Sequence, residues 1–114
     1  MIIVNKRNDK KIASNVKHAN TFVLRLFGVM FIKEMKGMDA LLLDPCSSIH
    51  NFFVRFAIDV IFLDKNFRVV KVIRNFKPWR MTRIYFTARR VLELPAGTLI
   101  DDIKKGDQLE VLGV

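Results

Sequence analysis

Cys46, His50 and Asp59 are the residues whose types could do chemistry together. A thiol beside an imidazole is a nucleophile–base pair, and a carboxylate can orient the base or serve as an acid. Spacing limits this reading. Four residues of strand span about 13 Å, too far for a thiol–imidazole contact. In one helical turn the same spacing brings the two side chains together, and Asp44-Pro45 would supply its N-cap and first residue. A lone cysteine is most often a small core residue, so no residue is assigned as catalytic. Metal binding through Cys46, His50 and Asp59 would require the chain to fold back, and no second Cys/His cluster exists. His18 lies in a basic, polar stretch and is expected in solvent. No metal or cofactor is expected.

Asp59 stands inside Phe56-Ala-Ile-Asp-Val-Ile-Phe-Leu63, with apolar neighbours on both faces. A carboxylate there either faces water at a strand edge or is buried with a partner, because an unpaired buried charge costs several kcal/mol. Arg25 and Arg55 each interrupt an apolar stretch and are the expected ion-pair partners, with His50 and Asn51 as others. Arg25, Cys46, His50, Asn51, Arg55 and Asp59 form one candidate polar cluster, functional or structural.

A second candidate is electrostatic. The net charge is +9, and residues 61–90 hold nine basic side chains against Asp64 alone. Such an excess raises the local concentration of an anionic partner, whether nucleic acid, lipid head group or acidic protein. Arg68, Arg74, Arg80, Arg83, Arg89 and Arg90 are the candidate anion-binding residues, with Phe67, Phe76, Trp79 and Tyr85 interleaved as in surfaces that stack bases. Lys65, Arg68, Lys71, Arg74, Lys77, Arg80 and Arg83 recur every third residue. Strict alternation along a strand would put Arg68 and Arg74 on one face with Val70 and Val72, and Lys71 on the other with Val69 and Ile73. That argues against one continuous phosphate-tracking row, so weak binding of low specificity is expected.

The elements that must position these residues are short. Ile2-Ile-Val4 and Ile12 to Val16 read as strands around the turn Asn8-Asp9-Lys10. Asn20 or Thr21 caps an expected helix from Phe22 to about Phe31. Ala40 to Leu43 reads as a buried strand stopped by Asp44-Pro45. Ser48 to Asp64 is strand-rich, Arg68 to Phe76 is β-branched and strand-like, and Lys77-Pro-Trp-Arg80 is a loop. Tyr85-Phe86 and Arg90 to Leu94 follow as strands. Thr98 caps a helical turn through Lys105, and Gln108 to Leu112 closes the chain as a strand. The expected fold is mainly β with an α+β character: a compact small sandwich or barrel carrying one or two short helices.

The stretch Cys46-Ser-Ser-Ile-His-Asn-Phe-Phe-Val-Arg-Phe-Ala-Ile-Asp-Val-Ile-Phe-Leu-Asp64 resembles a subgroup of domain-of-unknown-function family 192. In that subgroup Cys-x-x-Ile-His is followed by aromatics, Arg-Phe-Pro-Ile-Asp and Phe-Leu-Asp. Arg25-Leu-Phe-Gly-Val-Met-Phe31, Lys77-Pro-Trp-Arg80 and Val91-Leu-Glu-Leu-Pro-Ala-Gly-Thr98 resemble further blocks of the family, so the resemblance covers about residues 22–112. This chain has Asn51 where Thr is usual and Ala57 where Pro is usual. The resemblance implies a compact, mainly β sandwich and brings no established reaction.

With 114 residues, 51% of them hydrophobic, the chain is expected to form one domain over 1–114 without disulfide or metal staples. Cys46 stands alone, which fits a reducing compartment or simple indifference to redox state. Apolar runs such as Val60-Ile-Phe-Leu63 are far shorter than the ~20 residues of a membrane helix, and no signal segment is read at Met1-Ile-Ile-Val4. A cytoplasmic monomer without a membrane span is expected. Its leading role is a noncatalytic binding or accessory module. The rivals are a nucleic-acid-binding protein using residues 65–90 and a small enzyme using Cys46, His50 and Asp59.

Overall fold

The computed structural model describes residues 1–19, 39–48, 56–97, 99 and 103–113. Eight strands carry them: β1 (Ile2–Asn5), β2 (Lys10–Ala13), β3 (Val16–Ala19), β4 (Ala40–Leu43), β5 (Ile58–Leu63), β6 (Val69–Phe76), β7 (Arg90–Pro95) and β8 (Leu109–Leu112). They form a three-stranded sheet in the order β2-β1-β8 and a five-stranded sheet in the order β3-β4-β7-β5-β6. The fold is mainly β, as expected. The helix read at Phe22–Phe31 lies outside the described residues, and the turn read at Thr98–Lys105 lies partly outside them.

Alternation builds two separate apolar layers on the larger sheet. Leu42, Ile61, Leu63, Leu92 and Leu94 face the small sheet and pack with its Ile3, Ala13 and Leu109. The intervening residues Leu41, Leu43, Val60, Phe62 and Val91 face the opposite way and are covered by Phe56, Tyr85 and Ala88. Every residue of β5 is buried, which explains its nearly unbroken apolar run: a strand covered on both faces has no polar side.

Three expectations changed. The run from Ile12 to Val16 is two strands rather than one. Asp39 captures the backbone N–H groups of Ser14 and Asn15, each at 2.8 Å, and the Ser14 hydroxyl at 3.0 Å. The chain therefore turns there, and β3 pairs in parallel with β4 in the other sheet.

Tyr85-Phe86 is a turn, closed by the Ala88 N–H donating to the Tyr85 carbonyl at 2.8 Å. The Tyr85 ring lies inward, 4.5 Å from that of Phe62, while Phe86 points away from the core.

Strand β6 does not alternate strictly. Its pairing with β5 slips twice, between Ile58 and Val60 and between Phe62 and Leu63. Each slip is a bulge, with two β6 residues against one of β5. Val69 and Val72 thus face the small sheet, whereas Val70 and Ile73 face the opposite layer. Val70 and Val72 therefore do not share a face.

Candidate binding surface

Asp59 is buried, on the side of β5 that faces the small sheet. Its Oδ1 accepts the Asn75 N–H at 2.9 Å, and its Oδ2 accepts those of Gly97 at 3.0 Å and Leu99 at 2.9 Å. Asn75 belongs to the β6 bulge opposite Asp59 and has φ 55°, while Gly97 follows β7 with φ 90°. Both are left-handed conformations, readily adopted by glycine and tolerated by asparagine. One carboxylate thus ties the bulge of one strand to the turn that ends another. Arg25 and Arg55, expected as its partners, lie outside the described residues, as do His50 and Asn51.

Cys46 packs against the layer on the other side of the larger sheet. Its N–H donates to the Arg89 carbonyl at 2.8 Å and its Sγ to the Ser48 carbonyl at 3.0 Å. The chain from Asp44 to Ser48 is irregular, without a helical turn. The sheet therefore stands between Cys46 and Asp59 and does not bring them together. Among the described residues no group of three His, Cys, Asp or Glu side chains could hold a metal ion.

Glu93 is the residue that sequence reasoning missed. It lies in β7 between Leu41 and Val60 of the flanking strands, on the face of the sheet that carries Cys46. It is buried, and its Oε2 has no hydrogen-bond partner among the described residues. Burial pushes its carboxyl up to about 8, because a charged form is costly away from water. Val91-Leu-Glu-Leu94 carried the same signal as the run around Asp59: a carboxylate inside an apolar strand.

At the other end, Asn5 and Asp107 are buried together, with Asn5 Nδ2 donating to Asp107 Oδ2 at 3.0 Å. Arg7 Nε donates to Asp107 Oδ1 at 2.8 Å. That Arg7 bond holds the Asp107 carboxyl at about 2, against the opposing effect of burial and with help from the Lys104 N–H and Asn5.

The structure divides the six candidate arginines. Arg68 Nη1 donates to the Gly106 carbonyl at 3.2 Å, and Arg74 Nε to that of Leu99 at 2.9 Å. Arg90 Nε donates to Asp44 Oδ2 at 2.9 Å, and its guanidinium lies 4.5 Å from the centre of the Phe67 ring. These three brace the fold. Arg80, Arg83 and Arg89 are exposed and make no ion pair among the described residues. Arg83 lies over the Tyr85 ring at 5.3 Å.

Arg80 and Arg83 belong to the loop between β6 and β7, which is apolar as well as basic. Phe86 is 86% exposed, Met81 69%, Trp79 62% and Ile84 51%. Single exposed apolar residues are ordinary, but four in one short loop are not. Trp79 has φ 65°, an uncommon and costly conformation for a bulky side chain. It follows Pro78, as the third residue of a type II turn would. The inward Tyr85, whose N–H donates to the Ser47 carbonyl at 2.9 Å, fixes the base of the loop. Its neighbours Ile84 and Phe86 are consequently turned outward.

This chain is similar to several UPF0127 proteins. A UPF0127 protein of Pyrococcus horikoshii is 40% identical over 116 residues, covering 96% of this chain and 97% of its own length. A UPF0127 protein of Pyrococcus furiosus is 35% identical, covering 95% and 96%. Among solved structures, a protein of unknown function from Novosphingobium aromaticivorans superposes with a TM-score of 0.77 at 19% identity, covering 96% of this chain and 82% of that one; that likeness shows the fold alone. The DUF192 family, described as Uncharacterized ACR, matches residues 3–111, and the chain belongs to that family.

Proposed function

We propose that this protein is a small, noncatalytic binding module of the cytoplasm that engages anionic partners through the β6–β7 loop. The observation that carries this reading is the exposure of Trp79, Met81, Ile84 and Phe86 in one loop with Lys77, Arg80 and Arg83. No acidic residue lies between Lys65 and Leu92, so the field of the loop is uncompensated along the chain. The residues first considered for catalysis support the noncatalytic half of the reading. Asp59 accepts three backbone amides, and Cys46 lies across the sheet from it.

Retention on immobilised heparin, a polyanion, tests the location of the surface. A Lys77→Glu/Arg80→Glu/Arg83→Glu variant should elute at markedly lower salt than a variant with the same charge change at Lys10, Lys11 and Lys17. Equal elution of the two would reduce the loop to a share of the overall charge and end the proposal.

A further inference from the structure

We infer that the partner of the β6–β7 loop is the surface of an anionic lipid bilayer, with the apolar side chains entering the interface and the basic ones meeting the head groups. This rests on the loop being the contact surface. The side-chain types favour lipid over nucleic acid. Bases stack on rings, and Met81 and Ile84 have none, although both are more than half exposed. A bilayer interface accepts any apolar side chain and favours tryptophan at head-group depth.

Charge points the same way. Lys77, Arg80 and Arg83 alternate with the apolar residues instead of forming a separate row. Insertion of Trp79, Ile84 or Phe86 would therefore bring a cation to the head groups beside it, as in basic, apolar segments that lie on anionic membranes. Arg68, Arg74 and Arg90, which could have lengthened a phosphate-tracking surface, are instead hydrogen-bonded to backbone or Asp44. No helix among the described residues is long and apolar enough to cross a membrane. The loop is suited to such contact because its base is held by Tyr85 against Phe62. Its apolar residues can then enter lipid without exposing either layer of the core.

Co-sedimentation with vesicles of phosphatidylglycerol and phosphatidylcholine in equal parts, with phosphatidylcholine alone, and with polyuridylate in a parallel assay tests this. The protein should bind the anionic vesicles on the order of a hundredfold more tightly than the neutral ones, given about 1 kcal/mol for each of three basic residues. Binding should bring a blue shift of Trp79 emission. Ile84→Ser/Phe86→Ser should weaken it by at least roughly tenfold, with circular dichroism unchanged. Loop-dependent binding to polyuridylate without binding to anionic vesicles would overturn the lipid assignment and leave the loop as the contact surface. Binding to neither probe, or binding indifferent to the loop substitutions, would overturn both.

Discussion

Asp59 and Glu93 lie on adjacent strands of the five-stranded sheet, one register step apart, and point to opposite faces: Asp59 pairs with Leu94, and Glu93 with Val60. Asp59 accepts three backbone amides, whereas Glu93 Oε2 has no hydrogen-bond partner among the described residues. Two buried carboxylates with similar sequence surroundings therefore have opposite consequences for stability.

Asp59→Ala removes the acceptor of the Asn75, Gly97 and Leu99 amides, of which Leu99 is the most deeply buried. An unmet buried donor costs about 1–3 kcal/mol, and water can reach the two outer ones. Chemical denaturation should show a loss of roughly 2–4 kcal/mol. A loss below about 0.5 kcal/mol, as at an ordinary surface site, would mean that the carboxylate does not hold the bulge and turn together.

Glu93 makes the protein less stable as pH rises. Its folded value of about 8 lies above the ordinary 4.5. Between these values the unfolded chain releases the proton and the folded chain keeps it, so stability falls across the window and levels off above it. The fall is on the order of several kcal/mol. Thermal unfolding from pH 5 to 8 should show it in the native protein and a much flatter profile in Glu93→Gln. Parallel profiles would show that Glu93 is not the titrating group.

Asp107 works in the opposite direction. Its folded value of about 2 lies below the ordinary 3.8. Its contribution is fully present above the ordinary value and is lost as pH falls toward 2. In Asp107→Asn the acid limb of the stability profile should become shallower between pH 4 and 2. An unchanged limb would place the acid sensitivity elsewhere.

Trp79 separates stability from binding. A left-handed conformation costs a bulky residue roughly 1–2 kcal/mol, and glycine adopts it freely but adds entropy to the unfolded chain. Relief of that strain offsets the loss of the side chain's own contacts, so Trp79→Gly should change stability by no more than about 1 kcal/mol, while retention on heparin and binding to anionic vesicles weaken. Clear destabilisation would assign Trp79 to the fold instead of the surface.

Much of the fold could be read from local pattern. Ala40–Leu43, Val69–Phe76 and Arg90–Leu94 are apolar or β-branched runs bounded by turn residues, and each is a strand. The departures arise from partners distant in sequence. The break at Ser14-Asn15 depends on Asp39, and the inward turn of Tyr85 depends on Phe62. The bulges of β6 depend on its pairing with β5. The candidate site was less legible. Asp59 was found from its apolar surroundings, but its partners are backbone amides, which every residue but proline carries and no composition reveals. Glu93 could have been found by the same reasoning. The charge of the 65–90 region was visible, but only the hydrogen bonds of Arg68, Arg74 and Arg90 separate them from Arg80, Arg83 and Arg89, which make no ion pair among the described residues.

Trp79 is the only tryptophan in the chain, so its accessibility reports the β6–β7 loop directly. Iodide quenching of its emission should be strong in the free protein, as the exposure of the ring requires. It should fall sharply when anionic vesicles are added at saturation, and recover when high salt releases the protein. Quenching that stays the same while the protein remains bound to the vesicles would place the contact elsewhere and contradict the loop as the binding surface.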